Sequence, residues 1–375
     1  MISLRILRIT PDLYPYSWGG IAVDSYLLSK AQAEAGHSVT VITLRDSSTG
    51  SNHPEFEVHR LPGVRDAFGN PVMPAMFRYI RGNLDRFDVL HVHSQLFYSS
   101  LIAVWSRRSS EIPAVLTCHG VRSAALPFFM SDFYLRTASR ALIARVQRVI
   151  CYSMHDARLL HDLAHASLSR VQIVQNGVSL DTFRPSRFAS AKEPVILWAG
   201  RMVRQKRLDL LLRSMRIVVD TVPSSRLYLL GDGPMLSGVK LDIERLGLGG
   251  HVNIMGEQPF ERMPSIYNEA AVCVIPSSTE GMPRTLMEAA AMGVPIVATR
   301  LPQLGEFLGR GVVLFQPGSV TDLARQLTRI LTDSSYAVRL GSEARKLAEQ
   351  EFDLERTVSM TTECCEQLLS QFGGN

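Results

Sequence analysis

The chain has 375 residues, 46% of them apolar and 20% charged, with a formal net charge of +5; that is enough apolar material for large cores, and two or three domains are expected rather than a disordered chain. No stretch approaches the roughly eighteen uninterrupted apolar residues of a membrane-spanning helix, and Arg5 and Arg8 break the first apolar run, so the sequence reads as soluble and cytoplasmic, with neither span nor leader. Five cysteines, Cys118, Cys151, Cys273, Cys364 and Cys365, show no C-x-x-C spacing, which speaks against a disulfide framework or a structural zinc site.

Short β-branched runs alternate with helical periodicity along the whole chain, the pattern of buried parallel strands joined by crossover helices. Strands are predicted at Leu4 to Thr10, Ser38 to Leu44, Val89 to Val92, Ala114 to Thr117, Val149 to Tyr152 and Val171 to Val174. Between the first two, Ile21 to Ala35 reads as a helix with Leu27, Leu28, Ala31 and Ala35 on its core face and Gly36 as its stop. The segment Arg184 to Pro194 is polar, holds two prolines and reads as a linker. Strands resume at Val195 to Ala199, Arg226 to Leu230, Val252 to Met255, Val272 to Ile275, Pro295 to Ala298 and Val312 to Phe315. Leu208, Leu211, Leu212, Met215 and Val219 mark one helix core face, and Leu323 to Leu331, Tyr336 to Glu351 and Glu355 to Phe372 are helical. The fold class is therefore α/β, with two Rossmann-like, doubly wound parallel-sheet units.

Charge is unevenly placed. Residues 1–185 carry 19 Lys or Arg against 14 Asp or Glu, while residues 186–375 carry 21 of each. A basic first half suits a phosphorylated substrate or peripheral association with an anionic membrane. No dense Lys/Arg run with interleaved aromatics marks a nucleic-acid surface.

The most informative stretch is Glu280-Gly281-Met282-Pro283-Arg284-Thr285-Leu286-Met287-Glu288, which follows a strand and opens a helix. Free N–H groups at a helix start suit phosphate, and two carboxylates beside them can accept hydrogen bonds from sugar hydroxyls. Helical spacing turns Leu286, Ala289, Ala290 and Gly293 to the core and leaves Thr285 and Glu288 together on the other side. Glutamates at such a place also simply complement a helix dipole. Gly200-Arg201 ends the first strand of the second unit, and Arg204, Lys206 and Arg207 stand at the entrance of the next helix, where the dipole disfavours cations. A bound diphosphate would turn that cost into a gain.

Gly19-Gly20, after Trp18 and the first strand, permits a ligand to approach backbone. Gly231-Asp232-Gly233-Pro234 departs from the dinucleotide fingerprint, with proline behind the second glycine and Leu236 at the third, and reads as a tight turn at a sheet edge. His119 ends the strand in Thr117-Cys118-His119-Gly120, where the carboxyl ends of parallel strands face a ligand. His91 and His93 straddle one strand without nearby carboxylates, a poor metal pair, and read as core-edge histidines.

In these residues the chain resembles the family 4 glycosyltransferases of the GT-B fold over essentially its full length: Gly19-Gly20, Thr117-Cys118-His119-Gly120, Asn176-Gly177-Val178 with Asp181 and Phe183, Gly200-Arg201 with Lys206, Gly231-Asp232-Gly233-Pro234, and the pair Glu280 and Glu288. The resemblance implies two Rossmann-like domains facing across a cleft, an acceptor-binding domain over 1–185 joined by a returning helix at 355–372, and a donor-binding domain over 194–353. It implies a retaining transferase that moves a sugar from a nucleoside-diphosphate donor to a glycan, lipid-linked or small-molecule acceptor, with no metal or other cofactor. Arg201 and Lys206 would hold the diphosphate, Glu280 the donor sugar and Glu288 the ribose. Gly19, Gly20, Gly281, Met282, Pro283, Arg284, Thr285 and Leu286 would complete the donor site, with Gly20 and Thr285 giving backbone N–H groups to phosphate. His119 would line the reaction centre. The loop Arg300-Leu301-Pro302-Gln303-Leu304-Gly305-Glu306 lacks the Gly-Gly pair usual before the family's Pro-Glu. A nucleotide-sugar epimerase, a phosphorylase and a non-catalytic nucleotide-sugar sensor remain as alternatives. Base, sugar and acceptor would be set by loops, chiefly Val64 to Arg78 and Arg122 to Phe133.

Overall fold

A computed structural model of the chain describes residues 3–15, 17, 19–45, 53–66, 69–107, 112–122, 126, 128–186 and 193–372. Trp18 and residues 187–192 of the expected linker lie outside the described residues. Internal contacts divide the chain into two compact units, Met1–Asn176 with Glu355–Asn375, and Gly177–Leu354.

The first unit is built on strands β1 (Arg5–Ile9), β2 (Ser38–Leu44), β3 (Glu57–Leu61), β6 (Val89–His93), β7 (Ala114–Cys118), β8 (Arg148–Cys151) and β9 (Val171–Ile173), with the two-residue strands β4 (Val64–Arg65) and β5 (Pro71–Val72) forming a separate antiparallel ribbon. The seven long strands run parallel in the order β3-β2-β1-β6-β7-β8-β9. Strand β3 was not expected: its sequence EVHRL is polar at three of five positions and largely half-buried at the sheet edge, so it lacks the apolar run that marks an inner strand. Val64 to Arg78 is a ribbon followed by the helix Ala75–Arg81 rather than a loop, and Arg122 to Phe133 enters a helix at Phe128.

Both faces of this sheet are covered. Leu7, Ile9, Leu90, Val92, Leu116 and Val149 point into one core. Leu4, Ile6, Val89, Val115 and Ile150 point into another, which Cys364, Cys365 and Leu368 of the C-terminal helix Leu354–Phe372 complete. Arg8 shares that second face and is fully buried. Its guanidinium donates to Ser29 Oγ (2.5 Å) and Gln32 Oε1 (2.6 Å), and Gln32 Nε2 donates in turn to Thr362 Oγ1 (3.0 Å) on the C-terminal helix. This explains a difference in the helix Gly20–Glu34: beside Leu27 and Leu28 it buries Ser25, Ser29 and Gln32, while Ala35 caps its end in solvent. A buried cation needs polar partners, so part of the helix's core face is polar. Burial lowers the Arg8 pKa to about 10, which leaves it charged at neutral pH. All five cysteines are free and buried.

The second unit has six parallel strands, β10 (Val195–Ala199), β11 (Arg226–Leu230), β12 (Val252–Gly256), β13 (Val272–Ile275), β14 (Ile296–Thr299) and β15 (Val312–Phe315), in the order β12-β11-β10-β13-β14-β15. Leu208, Leu211, Leu212, Met215 and Val219 of the helix Leu208–Thr221 are all buried against it. The segment from Gly177, expected with the first unit, joins the second. Val178 N–H donates to the Phe352 carbonyl (2.8 Å), Leu354 N–H donates to the Val178 carbonyl (3.2 Å), and Arg345 donates to the Phe183 carbonyl (2.9 Å).

The C-terminal helix thus closes the core of the first sheet. Leu368→Ala is expected to cost about 2–4 kcal/mol, the usual range for emptying a buried leucine site, measured by urea denaturation followed through far-ultraviolet circular dichroism. A loss under about 0.5 kcal/mol would show that the helix does not complete that core.

Candidate active site

In each sheet the strand order reverses once, between β1 and β6 in the first unit and between β10 and β13 in the second. Crevices at the carboxyl ends of strands flanking such a reversal are the standard ligand sites of open α/β sheets. Gly200-Arg201 follows β10 and the Glu280 loop follows β13, so the candidate donor residues of the second unit stand at its reversal point.

The β10 loop is held from behind by the turn after β11. Met202 N–H donates to the Asp232 carbonyl (2.7 Å), and Met235 N–H donates to the Met202 carbonyl (3.0 Å). Gly231 and Gly233 have φ of 116° and 154°. A Cβ at Gly231 would lie 2.1 Å from the Gly200 carbonyl oxygen, and one at Gly233 would lie 2.6 Å from that of Met202. Only glycine permits this approach. The Gly231-Asp232-Gly233 turn is therefore a brace on an inner strand, not a turn at the sheet edge as the sequence reading had it.

The cations of this loop divide into two groups. Lys206 Nζ donates to Glu280 Oε1 (2.5 Å), an ion pair about one-quarter exposed on the lysine side. Arg207, in the left-handed region with φ of 50°, forks onto both carboxylate oxygens of Asp209 (2.9 Å each). Two of the three cations at the helix entrance are thus already neutralised, which corrects the expectation of an uncompensated cluster. Arg201 is different: it is exposed, and among the described residues its guanidinium has no hydrogen-bond or ion-pair partner.

The Glu280 loop is tied to this cationic loop and to the next strand. Ser278 N–H donates to the Gln205 carbonyl (2.8 Å), and Gln303 Nε2 donates to the Glu280 carbonyl. Gln303 belongs to the 3-10 segment Pro302–Phe307, the loop where the sequence departs from the family pattern. It braces Glu280 through backbone, a role its residue type did not announce. Gly281, Met282 and Pro283 lead into the helix Arg284–Ala291, whose start carries no side-chain cap; Met282 and Pro283 are buried, and Thr285 is half-buried.

Glu288 is not on an open helix side with Thr285. The helix is enclosed almost all round, with Leu286 to Ala291 buried. Tyr267 OH donates to Glu288 Oε2 (3.0 Å), and Arg284 Nε stands 2.8 Å from Oε1. Tyr267, from the helix Met263–Glu269, was missed because a tyrosine in a short helix gives no signal of a carboxylate partner. Burial and the neighbouring Glu288 charge hold its hydroxyl well above the ordinary phenol range, so it stays a donor.

In the first unit, Gly19 caps the helix Gly20–Glu34 and both glycines are exposed. A Cβ at Gly20 would meet no atom within 4 Å, and its φ is not positive, so neither packing nor backbone geometry demands glycine there. His119 follows β7 and its side chain is 5% exposed. His93 Nδ1 lies 2.8 Å from its Nε2, and Tyr152 OH lies 2.8 Å from its Nδ1, with Asp24 Oδ2 3.7 Å away. A neutral imidazole has one N–H, so His119 donates to one neighbour and accepts from the other. Both ring nitrogens are held within the unit, which makes His119 an anchored polar group. His93 and His91 are fully buried, not at the core edge.

Burial pushes His119 down to about 3 and holds His91 and His93 well below the ordinary imidazole value, with charge repulsion from Arg8 adding at His91. The unfolded chain takes up protons below about pH 6.5 that these rings refuse, so stability is present above that pH and is lost as pH falls toward the folded values. Thermal melts of the wild type and His119→Gln between pH 7.5 and 5 should differ in slope by about 1.4 kcal/mol per pH unit below pH 6. Parallel profiles would mean that His119 is already protonated in the folded chain.

Comparison with known proteins gives the same assignment to both halves. The family described as Glycosyltransferase Family 4 matches residues 18–182, and that described as Glycosyl transferases group 1 matches residues 181–347. D-inositol 3-phosphate glycosyltransferase of Nocardiopsis dassonvillei is 27% identical over 369 residues, covering 87% of this chain and 84% of the relative. Sucrose-phosphate synthase of Thermosynechococcus elongatus superposes with a TM-score of 0.81 at 21% identity, over 98% of this chain and all of that one. Anabaena HepE in complex with UDP-glucose does so with a TM-score of 0.82 at 19% identity, over 97% and 100% of the two chains. The double parallel-sheet architecture and these matches together make the chain a group 1, family 4 glycosyltransferase with the GT-B fold.

Proposed function

We propose that this glycosyltransferase is a retaining enzyme that takes its sugar from a nucleoside diphosphate and needs no metal ion. The observation that carries the reading is the unpartnered, exposed Arg201 at the strand-order reversal, in the same loop as the Lys206–Glu280 pair. Support comes also from the neighbours whose solved structures contain UDP or UDP-glucose.

In this reading the diphosphate lies on Arg201 and Lys206. The Lys206 ammonium has three donors and Glu280 uses one of them, so the pair presents cation and carboxylate together, one for phosphate and one for a sugar hydroxyl. As the bond from the anomeric carbon to the diphosphate oxygen loosens, positive charge grows on the sugar ring and negative charge on the leaving group. Fixed cations at the leaving group bind that state more tightly than the ground state. The acceptor hydroxyl attacks from the face the diphosphate leaves and passes its proton to the leaving phosphate, which retains the anomeric configuration. The two cations supply the charge that a divalent ion would otherwise bring.

Glu288 accepts from the ribose in this proposal over a narrow edge, because its oxygens already serve Tyr267 and Arg284 and it is 4% exposed. Gly20 contributes its backbone N–H to phosphate, and its vacant Cβ position suits an external group. His119, with both ring nitrogens engaged by His93 and Tyr152, lines the reaction centre and transfers no proton, since burial keeps it neutral. The acceptor is a hydroxyl of a glycan, a lipid-linked sugar or a small molecule.

A panel of UDP-, GDP- and ADP-sugars tested by thermal shift should yield one donor that stabilises strongly, since tight binding to the folded state raises the melting temperature. With that donor, Arg201→Ala and Lys206→Ala should each lower kcat/KM by about 10²–10³-fold, the usual consequence of losing a charge-stabilising group. The double variant Lys206→Ala with Glu280→Gln separates lost charge stabilisation from an unpaired glutamate. Unchanged kcat/KM in both single variants would refute the diphosphate assignment. Turnover after exhaustive EDTA treatment is expected to be undiminished, and restoration by added magnesium or manganese would overturn metal independence.

A further inference from the structure

The helix beyond His119 carries an exposed apolar surface. Phe128–Tyr134 continues through Leu135–Ser139 into Arg140–Ile143. Ser131, Leu135, Ser139, Leu142 and Ile143 are buried, which fixes its core side. On the exposed side Phe128, Phe129 and Phe133 are 65%, 73% and 70% open to solvent. Arg136 and Arg140 are exposed farther along the same helix. Three large rings on barely more than one turn form an apolar patch of the kind that marks a contact surface.

The charge of this stretch of sequence is one-sided. From Arg122 to Arg148 the sequence holds Arg122, Arg136, Arg140, Arg145 and Arg148 against a single acidic residue, Asp132. Asp132 is taken by Arg122 (Nε to Oδ1, 2.8 Å), whose guanidinium also lies 4.2 Å from the Phe128 ring centre. Beyond the other end of the helix, Arg145 covers the half-exposed Trp105 at 4.5 Å.

We propose that this face docks on an anionic lipid bilayer, with Phe128, Phe129 and Phe133 entering the boundary between headgroups and acyl chains and Arg136 and Arg140 meeting lipid phosphates. An interfacial helix presents this combination of exposed aromatics and arginines, and acidic lipid attracts basic segments held at its surface. A second copy of the chain fits worse, because self-association through this face would bring arginine against arginine. An acidic macromolecule would engage the arginines and leave the three rings in water. No described helix is long and apolar enough to cross a membrane, so the contact is peripheral. The proposal does not depend on the identity of the sugar donor.

The test is co-sedimentation of the full chain with phosphatidylcholine vesicles and with vesicles containing one-quarter phosphatidylglycerol, at about 0.1 M salt. Binding to the anionic vesicles is expected to exceed binding to the neutral ones by at least about tenfold and to weaken as salt screens the arginines. Phe129→Ser with Phe133→Ser should reduce anionic binding by about tenfold or more, and Arg136→Gln with Arg140→Gln should remove the lipid preference, both with an unchanged melting temperature. Phe133→Trp should show a blue-shifted emission on adding anionic vesicles. Wild-type binding by the serine variant, or no binding of the wild type to anionic vesicles, overturns the proposal. A concentration-dependent dimer lost in the serine variant would assign the face to self-association and overturn it as well.

Discussion

Lys206 and Glu280 are 74 residues apart in sequence and meet at 2.5 Å because β10 and β13 are neighbours in the sheet. That contact is the one on which the donor site depends. A partly buried ammonium and carboxylate are costly apart and stable together, and holding them requires both loops to be placed well. The Gly231-Asp232-Gly233 turn supports one loop through the backbone of Gly200 and Met202, and Gln303 supports the other through the Glu280 carbonyl. Ser278 joins the two directly at Gln205. The site is consequently a braced frame in which the side chains of Arg201 and Arg204 stand without a partner among the described residues.

The same economy runs through the first unit, where a polar network replaces part of a hydrophobic core. Arg8, Ser29, Gln32 and Thr362 form one chain of buried hydrogen bonds, and His93, His119 and Tyr152 form another. Arg8 lies 3.3 Å from His91 Nδ1, and the His91 ring stacks on that of His93 with centroids 4.5 Å apart, so the two chains meet at His91. Buried polar groups cost stability unless partnered, and all but Arg8 Nε and His93 Nε2 of these are partnered, from helix, sheet and C-terminal segment at once.

The inner strands were legible because both of their faces are buried. Ser38–Leu44, Val195–Ala199, Arg226–Leu230 and Val272–Ile275 read directly as apolar runs with the observed ends. Strand β3 escaped because its sequence EVHRL carries no apolar run, unlike the edge strand Val312–Phe315. The polar face of the helix Gly20–Glu34 escaped because its cause, Arg8, lies on another element, and periodicity compares residues only within one. Site residues followed the same rule. Arg201, Lys206, Glu280 and His119 sit at strand ends, where position in the fold announces a ligand. Tyr267 and Gln303 act on other side chains or backbone across the tertiary structure, and their own neighbours in sequence carry no trace of it. Glu288 was placed on the wrong side because a helix enclosed all round has no polar face to predict.

The central claim is electrostatic: a pyrophosphate belongs between the free guanidinium of Arg201 and the ammonium of Lys206. A crystal structure of the chain with a bound nucleotide sugar measures this most directly. Diphosphate oxygens within about 3 Å of both side chains, with Glu280 on a sugar hydroxyl, is the predicted result. A diphosphate held elsewhere, with Arg201 still in solvent, would contradict the account.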